Sequence, residues 1–107
     1  MKIVICQDFS ETPNARYRSE GEHSGEEFRE TLLEPKYLEA KENNEKLVID
    51  FDGSYGYPTS FLEEAFGGLA RRYDYKDILN RLDFISNDEP SLVDEVTDYI
   101  ANAKKDK

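Results

Sequence analysis

No stretch of this chain approaches the about eighteen consecutive apolar residues a membrane span needs, and the opening MKIVIC reaches acidic Asp8 before it could form a signal-peptide core. The expectation is a cytoplasmic protein. Cysteine is nearly absent: Cys6 stands alone, which excludes an internal disulfide and any multi-cysteine metal knuckle and fits a reducing compartment. With no histidine or cationic cluster beside it to lower its pKa, Cys6 reads as a small buried side chain. Histidine is equally scarce. The single His23 falls in a connection with no nucleophile nearby to activate, and reads as a loop residue. Positive charge is in deficit, 14 basic residues against 24 acidic, for a net charge of −10. That balance repels phosphate backbones and anionic membrane surfaces, so neither nucleic acid nor membrane is the expected partner. Proteins are, basic ones among them. Nucleophile elbow, P-loop, HExxH and GxGxxG are all missing, which points away from enzyme chemistry and from any cofactor.

What the chain does have is enough apolar residues for one core. At 107 residues, 37% hydrophobic and 12% aromatic, it suits a single folded domain, although 36% charged residues leave less apolar surface than average to bury. Its organising stretch runs from Leu47 to Tyr73. Leu47, Val48 and Ile49, closed by Asp50 and Phe51, read as a strand buried on both faces that ends in a loop holding Gly53 and Gly56. Pro58 bars Tyr57 from helical geometry, and Ser60 with Glu63 three residues on reads as a capping box that starts a helix at Ser60. Phe61, Leu62, Ala65, Phe66, Leu69, Ala70 and Tyr73 then form one wide apolar stripe that must pack on a sheet.

Around this centre the other elements follow in order. Lys2 to Cys6 is a first strand, and Ala15 to Ser19 alternates enough for a second, edge strand with Arg16 and Arg18 on one face. Ser24 and Glu27 form another capping box, opening a helix with Phe28, Leu32 and Leu33 inward; Pro35 should stop or kink it and begin a second piece ending at Asn43 and Asn44. After Tyr73, DYKDILN is a helical turn or loop, LDFI from Leu82 to Ile85 a strand, and Ser91 with Asp94 caps a last helix. Lys104 and Lys105 would complement that helix's negative end, and KKDK should fray. The predicted order is β-β-α-β-α-β-α.

Three groups of residues could carry function. Asp50 and Asp52, at the carboxyl end of the central strand, could hold Mg²⁺, or else form a turn in which Asp50 bonds local amides. Glu63, Glu64, Gly67, Gly68 and Arg71 fall together on the helix face opposite the apolar stripe, which predicts an outward, partner-binding surface. Each glycine costs the helix about 0.8–1 kcal/mol relative to alanine, so close approach of a partner backbone, or of this protein's own helices, should offset it. Thr59 and Ser60 are phosphorylation candidates: a phosphate there would add roughly −1.5 to −2 charges at a helix N-terminus able to accept it, unless Ser60 is only a cap.

The order of elements and the words RYRSEGEHSGEEFRE (Arg16 to Glu30) and VIDFDGSYGYPTSFLEEAFGGLARR (Val48 to Arg72) resemble the STAS domains, and more closely a STAS-like family of unknown function. The resemblance implies a small mixed four-stranded sheet with helices mainly on one side, an α/β fold without catalytic chemistry. In sigma-regulatory STAS domains, a serine or threonine in a D-S-S-G-like turn is phosphorylated by an ATPase-type kinase and controls binding. That turn corresponds here to Pro58-Thr59-Ser60-Phe61, so only the two hydroxyl positions carry over.

The leading expectation is therefore a non-enzymatic protein-binding regulatory module, switched by phosphorylation at the turn before the helix. Its partner would be a kinase-type ATPase or a regulatory factor, and its surface Asp52, Tyr55, Tyr57 and the helix face just described. A second reading is an acidic phage-type inhibitor that blocks a nucleic-acid-binding protein by mimicking its ligand's charge. A third is an enzyme or nucleotide-binding domain using Asp50 and Asp52 with a metal.

Overall fold

The computed structural model describes residues 1–103. Three strands form one sheet: β1 (Lys2–Val4), β2 (Leu47–Asp50) and β3 (Leu82–Ile85), in spatial order β1-β2-β3 and all parallel. The chain steps sideways in one direction only. With right-handed crossovers, that order places both connections on the same face of the sheet. The first connection carries α1 (Ile5–Asp8) and a long helix α2 spanning 25–42; the second carries α3 (59–72) and α4 (Tyr75–Arg81); α5 (Ser91–Asn102) follows β3.

Register separates the two faces. Ile3, Ile49 and Phe84 are aligned across the strands and point to the helices with Leu47 and Leu82, whereas Val4 and Ile85 align with Asp50, and Val48 with Lys2 and Asp83, on the opposite face. Val4, Val48 and Ile85 are only half-buried there. The prediction that β2 is covered on both faces is corrected for that reason: the helices occupy one side. On that side Phe28, Phe61, Phe66, Leu69, Ile78 and Val96 are fully buried, so the apolar stripe of α3 faces inward as its spacing requires.

The sheet has three strands and not the four expected, because 15–19 does not pair. Ala15 takes a left-handed φ of 63°, and the amides of Arg16 and Tyr17 bond the Glu20 carboxylate while that of Arg18 bonds Glu26. The carbonyls of Ala15 and Arg16 accept the amides of Gly25 and Glu26 at the start of α2. Arg18–Glu20 closes as a 3₁₀ turn. A segment whose donors and acceptors are already satisfied by side chains and a helix end has none left for a sheet ladder. The first strand is likewise shorter than Lys2 to Cys6, since Ile5–Asp8 turns helical and Asp8 accepts the Val4 amide at 2.7 Å.

Pro35 does not stop α2, but the predicted second piece is present as Glu34–Glu42, with the proline in its first turn and Asn43 at its end. Helical dihedrals run from Gly25–Phe28 through a π turn at Arg29–Leu33 into Glu34–Glu42. The wider turn just before the proline accommodates the missing donor and the ring that would otherwise press on the preceding turn. Ser24 caps α2 as expected, accepting the Glu27 amide at 3.0 Å, while the Glu27 carboxylate reaches the His23 amide. His23 itself sits half-buried in the loop, edge-on to Phe9.

Helix α3 begins at Thr59, with Pro58 in the N-cap position and no side-chain cap, so Ser60 is not the cap it was predicted to be. The helix begins one residue earlier than predicted, which puts Ser60 inside its first turn, and the Glu63 carboxylate is engaged by Arg16 and Arg71. Ser91 likewise opens α5 behind Pro90 without capping it. The segment after Tyr73 is a full helix capped by Asp74, whose side chain accepts the Lys76 amide. The expectations for Lys104, Lys105 and the KKDK end lie outside the described residues.

Candidate functional site

Helix α3 contains its own π turn, Glu63–Gly67, and it packs against the π turn of α2. Where the two widened turns meet, the chain concentrates charge. Four of its arginines, Arg16, Arg29, Arg71 and Arg72, line a cleft of about 350 Å³ together with Tyr17, Glu63, Glu64 and Gly68. Glu63 receives Arg16 at 2.5 Å on one oxygen and Arg71 at 2.6 Å on the other. Glu64 receives Arg29 at 3.0 Å, with Arg71 at 3.6 Å and Arg16 at 3.8 Å from its second oxygen. Behind the cleft Glu34 holds Arg29 and Arg72, both at 3.5 Å, and accepts the Tyr73 hydroxyl.

This geometry corrects the predicted outward face of α3. Glu64, Gly67 and Gly68 are buried and Glu63 and Arg71 half-buried, because α2 and the Arg16 loop close over them. Both glycines serve the ion pairs. A Cβ on Gly68 would come within 2.8 Å of the Arg29 Nε, and one on Gly67 within 2.5 Å of a Glu63 oxygen and 3.3 Å of Arg71. Gly67 thus lets Glu63 and Arg71, two helical turns apart, meet across it. Of the close approaches predicted over the glycines, one from this protein's own α2 is present at Gly68, made by the Arg29 side chain, while Gly67 is met by Glu63 and Arg71 of its own helix.

Arg29 is only 6% exposed, and its Nε is buried without a hydrogen-bond partner. An unpaired buried donor costs about 1–3 kcal/mol. Burial pushes the Glu63 carboxyl upward, but the hydrogen bonds from Arg71 and Arg16 outweigh it and hold the group below its ordinary 4.5. Asp77 is held below 3.8, chiefly by Arg81, against the smaller upward push of burial and with help from the Tyr37 hydroxyl. Groups with depressed folded-state values bind fewer protons folded than unfolded, so their stabilisation is complete above the ordinary values and lost as pH falls through the folded ones. Thermal midpoints should therefore hold steady above pH 4.5 and drop below it; a midpoint unchanged down to strongly acid pH would contradict these pairings.

The remaining predicted site residues gather at the carboxyl end of the sheet, in the 51–58 loop. Asp50 accepts the Asp52 amide at 2.9 Å, the local turn anticipated as the alternative to a metal site. Asp52 in turn accepts the Asp88 amide at 2.9 Å and the Asn87 side chain at 3.0 Å, and the Asp88 amide leads the interactions that lower its pKa. Among the described residues no group of three or more His, Cys, Asp or Glu side chains converges as metal ligands would. Gly53, with φ 91°, presses its backbone against Cys6, whose thiol lies 2.8 Å from where a Cβ would stand. Tyr57 is half-buried edge-on against Phe51 and donates its hydroxyl to the Phe51 carbonyl at 2.7 Å; burial pushes its pKa up to about 12. Tyr55 is the opposite, 85% exposed, while its own amide bonds the Glu11 carbonyl at 2.9 Å. Thr59 is exposed and Ser60 half-buried at the start of α3.

A family model described as a STAS-like domain of unknown function matches residues 24–92, from the α2 cap to the first turn of α5. The chain belongs to that family. No curated protein and no solved structure matches it. The matched part of this STAS-like domain contains Arg29, Glu63, Glu64, Gly68, Arg71 and Arg72, whereas Arg16 and Tyr17 reach the cleft from the preceding loop. Among the described residues no helix is long and apolar enough to cross a membrane.

Sequence reasoning named Glu63, Glu64, Gly67, Gly68 and Arg71 as neighbours on one helix face, and the structure does bring them together. It missed Arg29 and Arg72 and placed Arg16 on a strand. Arg29 was discoverable in principle: it is a charged residue one position from Phe28 in a helix whose inward stripe leaves little room for solvent on the side facing α3.

Proposed function

We propose that this STAS-like domain is a non-enzymatic, protein-binding regulatory module whose partner contacts centre on the loop carrying Tyr55. The observation that carries this reading is a large aromatic ring left 85% exposed on a segment whose backbone is hydrogen-bonded on several sides. Asp50, Asp52, Asp88, Glu11 and the Tyr57 hydroxyl tie the loop at its base and sides. Aromatic side chains presented on preorganised backbone lose little entropy on binding and are enriched among the residues that dominate interface energetics. Exposed Thr59 follows the Tyr55 loop by four residues at the start of α3, so a phosphate there would add charge next to the loop in sequence; Ser60 is the less accessible hydroxyl. The net charge of −10 favours a partner with a basic contact surface, a kinase-type ATPase or another regulatory factor.

Two measurements test the reading. Tyr55→Ala should change stability by no more than about 0.5 kcal/mol, because the ring contacts solvent, yet abolish partner capture from the native host. Equal capture by the variant would remove the loop from the interface. Phosphoprotein mass spectrometry over the Tyr55-to-Leu62 peptide tests the switch, and an unmodified peptide under all growth conditions counts against it.

A further inference from the structure

We propose that the arginine cleft between α2 and α3 binds a phosphate group, either free phosphate or a phosphomonoester. The inference rests on neither Tyr55 nor Thr59.

Charge is the first argument. The protein carries −10, yet this cleft is lined by four guanidinium groups against the two carboxylates of Glu63 and Glu64. Glu34, behind the lining, offsets a further charge through Arg29 and Arg72. Among the described residues the arginines outnumber the carboxylates that hold them, the sign of charge that draws a phosphoryl group of roughly −1.5 to −2 near neutral pH.

The kind of cation is the second. Among the described residues every cation lining the cleft is an arginine, whose planar five-donor fork matches tetrahedral oxyanions in a way a lysine ammonium does not. The two carboxylates do not defeat the site, since each is shared among guanidinium groups that it holds in position. Glu63 fixes Arg16 and Arg71, and Glu64 fixes Arg29. Arg16 is further restrained because its own amide is bonded to Glu20 and its carbonyl to the Glu26 amide. A binder preorganised in this way gives up little freedom when an anion arrives.

The third argument is Arg29 itself. Arg29, a residue only 6% exposed, lines the cleft beside Gly68 with its Nε–H buried and lacking any acceptor. Only a glycine fits against that edge, since a Cβ on Gly68 would stand 2.8 Å from the Nε, and both helices widen into π turns at this level, a feature that recurs at functional sites.

The test is an NMR titration of the full chain at constant ionic strength, following backbone amides and arginine Nε–H signals. One arm adds inorganic phosphate and the other a phosphoserine peptide, with sodium chloride and the unphosphorylated peptide as controls. Saturable shifts at Arg16, Arg29 and Arg72, with millimolar or tighter affinity, are expected from at least one phosphate source and from neither control. Binding in the first arm alone assigns free phosphate; binding of the peptide alone assigns a phosphorylated partner. Arg72→Gln, altering an exposed side chain, should weaken binding about tenfold with the fold intact, and Arg16→Gln serves the same purpose if the first variant melts early. Shifts that grow linearly with salt and match the chloride control, or unchanged affinity in the arginine variants, would overturn the proposal.

Discussion

Phe66→Ala is expected to remove about 4 kcal/mol from the unfolding free energy, the largest effect of any single truncation considered. The ring is fully buried and lies within 6.2 Å of Phe28, 5.7 Å of Phe51 and 6.0 Å of Phe84, measured between centroids. It therefore joins α2, the end of β2 and β3 through one side chain. Removing it forfeits the transfer free energy of the ring and leaves a cavity that rings held by three separate elements cannot close. Against a total stability of roughly 5–15 kcal/mol for a domain of this size, such a loss is plain in urea unfolding. A change below about 1 kcal/mol would mean that the aromatic cluster is loosely packed.

The second large effect concerns the buried pair Arg29 and Glu64, whose side chains are 7% and 9% exposed. Arg29→Met and Glu64→Gln should each destabilise the protein by about 3 kcal/mol, the lower end for breaking a buried ion pair. The lower end applies because neither partner is left wholly alone: Glu64 retains Arg71 at 3.6 Å and Arg16 at 3.8 Å, and Arg29 retains Glu34 at 3.5 Å. The double variant should be much less damaging than the sum of the singles, since desolvation of both charges disappears with them. Additive losses in urea unfolding would show that the two groups do not interact across the helices.

These effects bear on how the two candidate surfaces differ. The Tyr55 loop is an exposed edge of the molecule, and its variants should be silent in stability and audible in binding. The arginine cleft is part of the packing between α2 and α3, so its deep residues report on stability and its rim residues, Arg16 and Arg72, on ligand. Keeping the two readouts apart is what lets each proposal fail independently of the other.

Local chemistry made much of the fold legible. The strands at Leu47 and Leu82, the Ser24 cap, the inward stripe of α3 and the last helix all follow from apolar period and turn residues, signals carried within a dozen neighbouring positions. What period and spacing could not show was competition between distant groups. Spacing makes Glu63 a capping partner for Ser60, whereas the helix starts at Thr59 and the Glu63 carboxylate meets Arg16, 47 positions earlier in the chain. The 15–19 segment looked like a strand until acidic side chains took its amides, and Pro35 looked like a helix end until a π turn made room for it. The two glycines of α3 point to a close approach, but only the tertiary structure decided that it occurs at Gly68 and that Arg29 of the same chain makes it, because a helical wheel assigns a face to each residue and says nothing of which neighbour covers it.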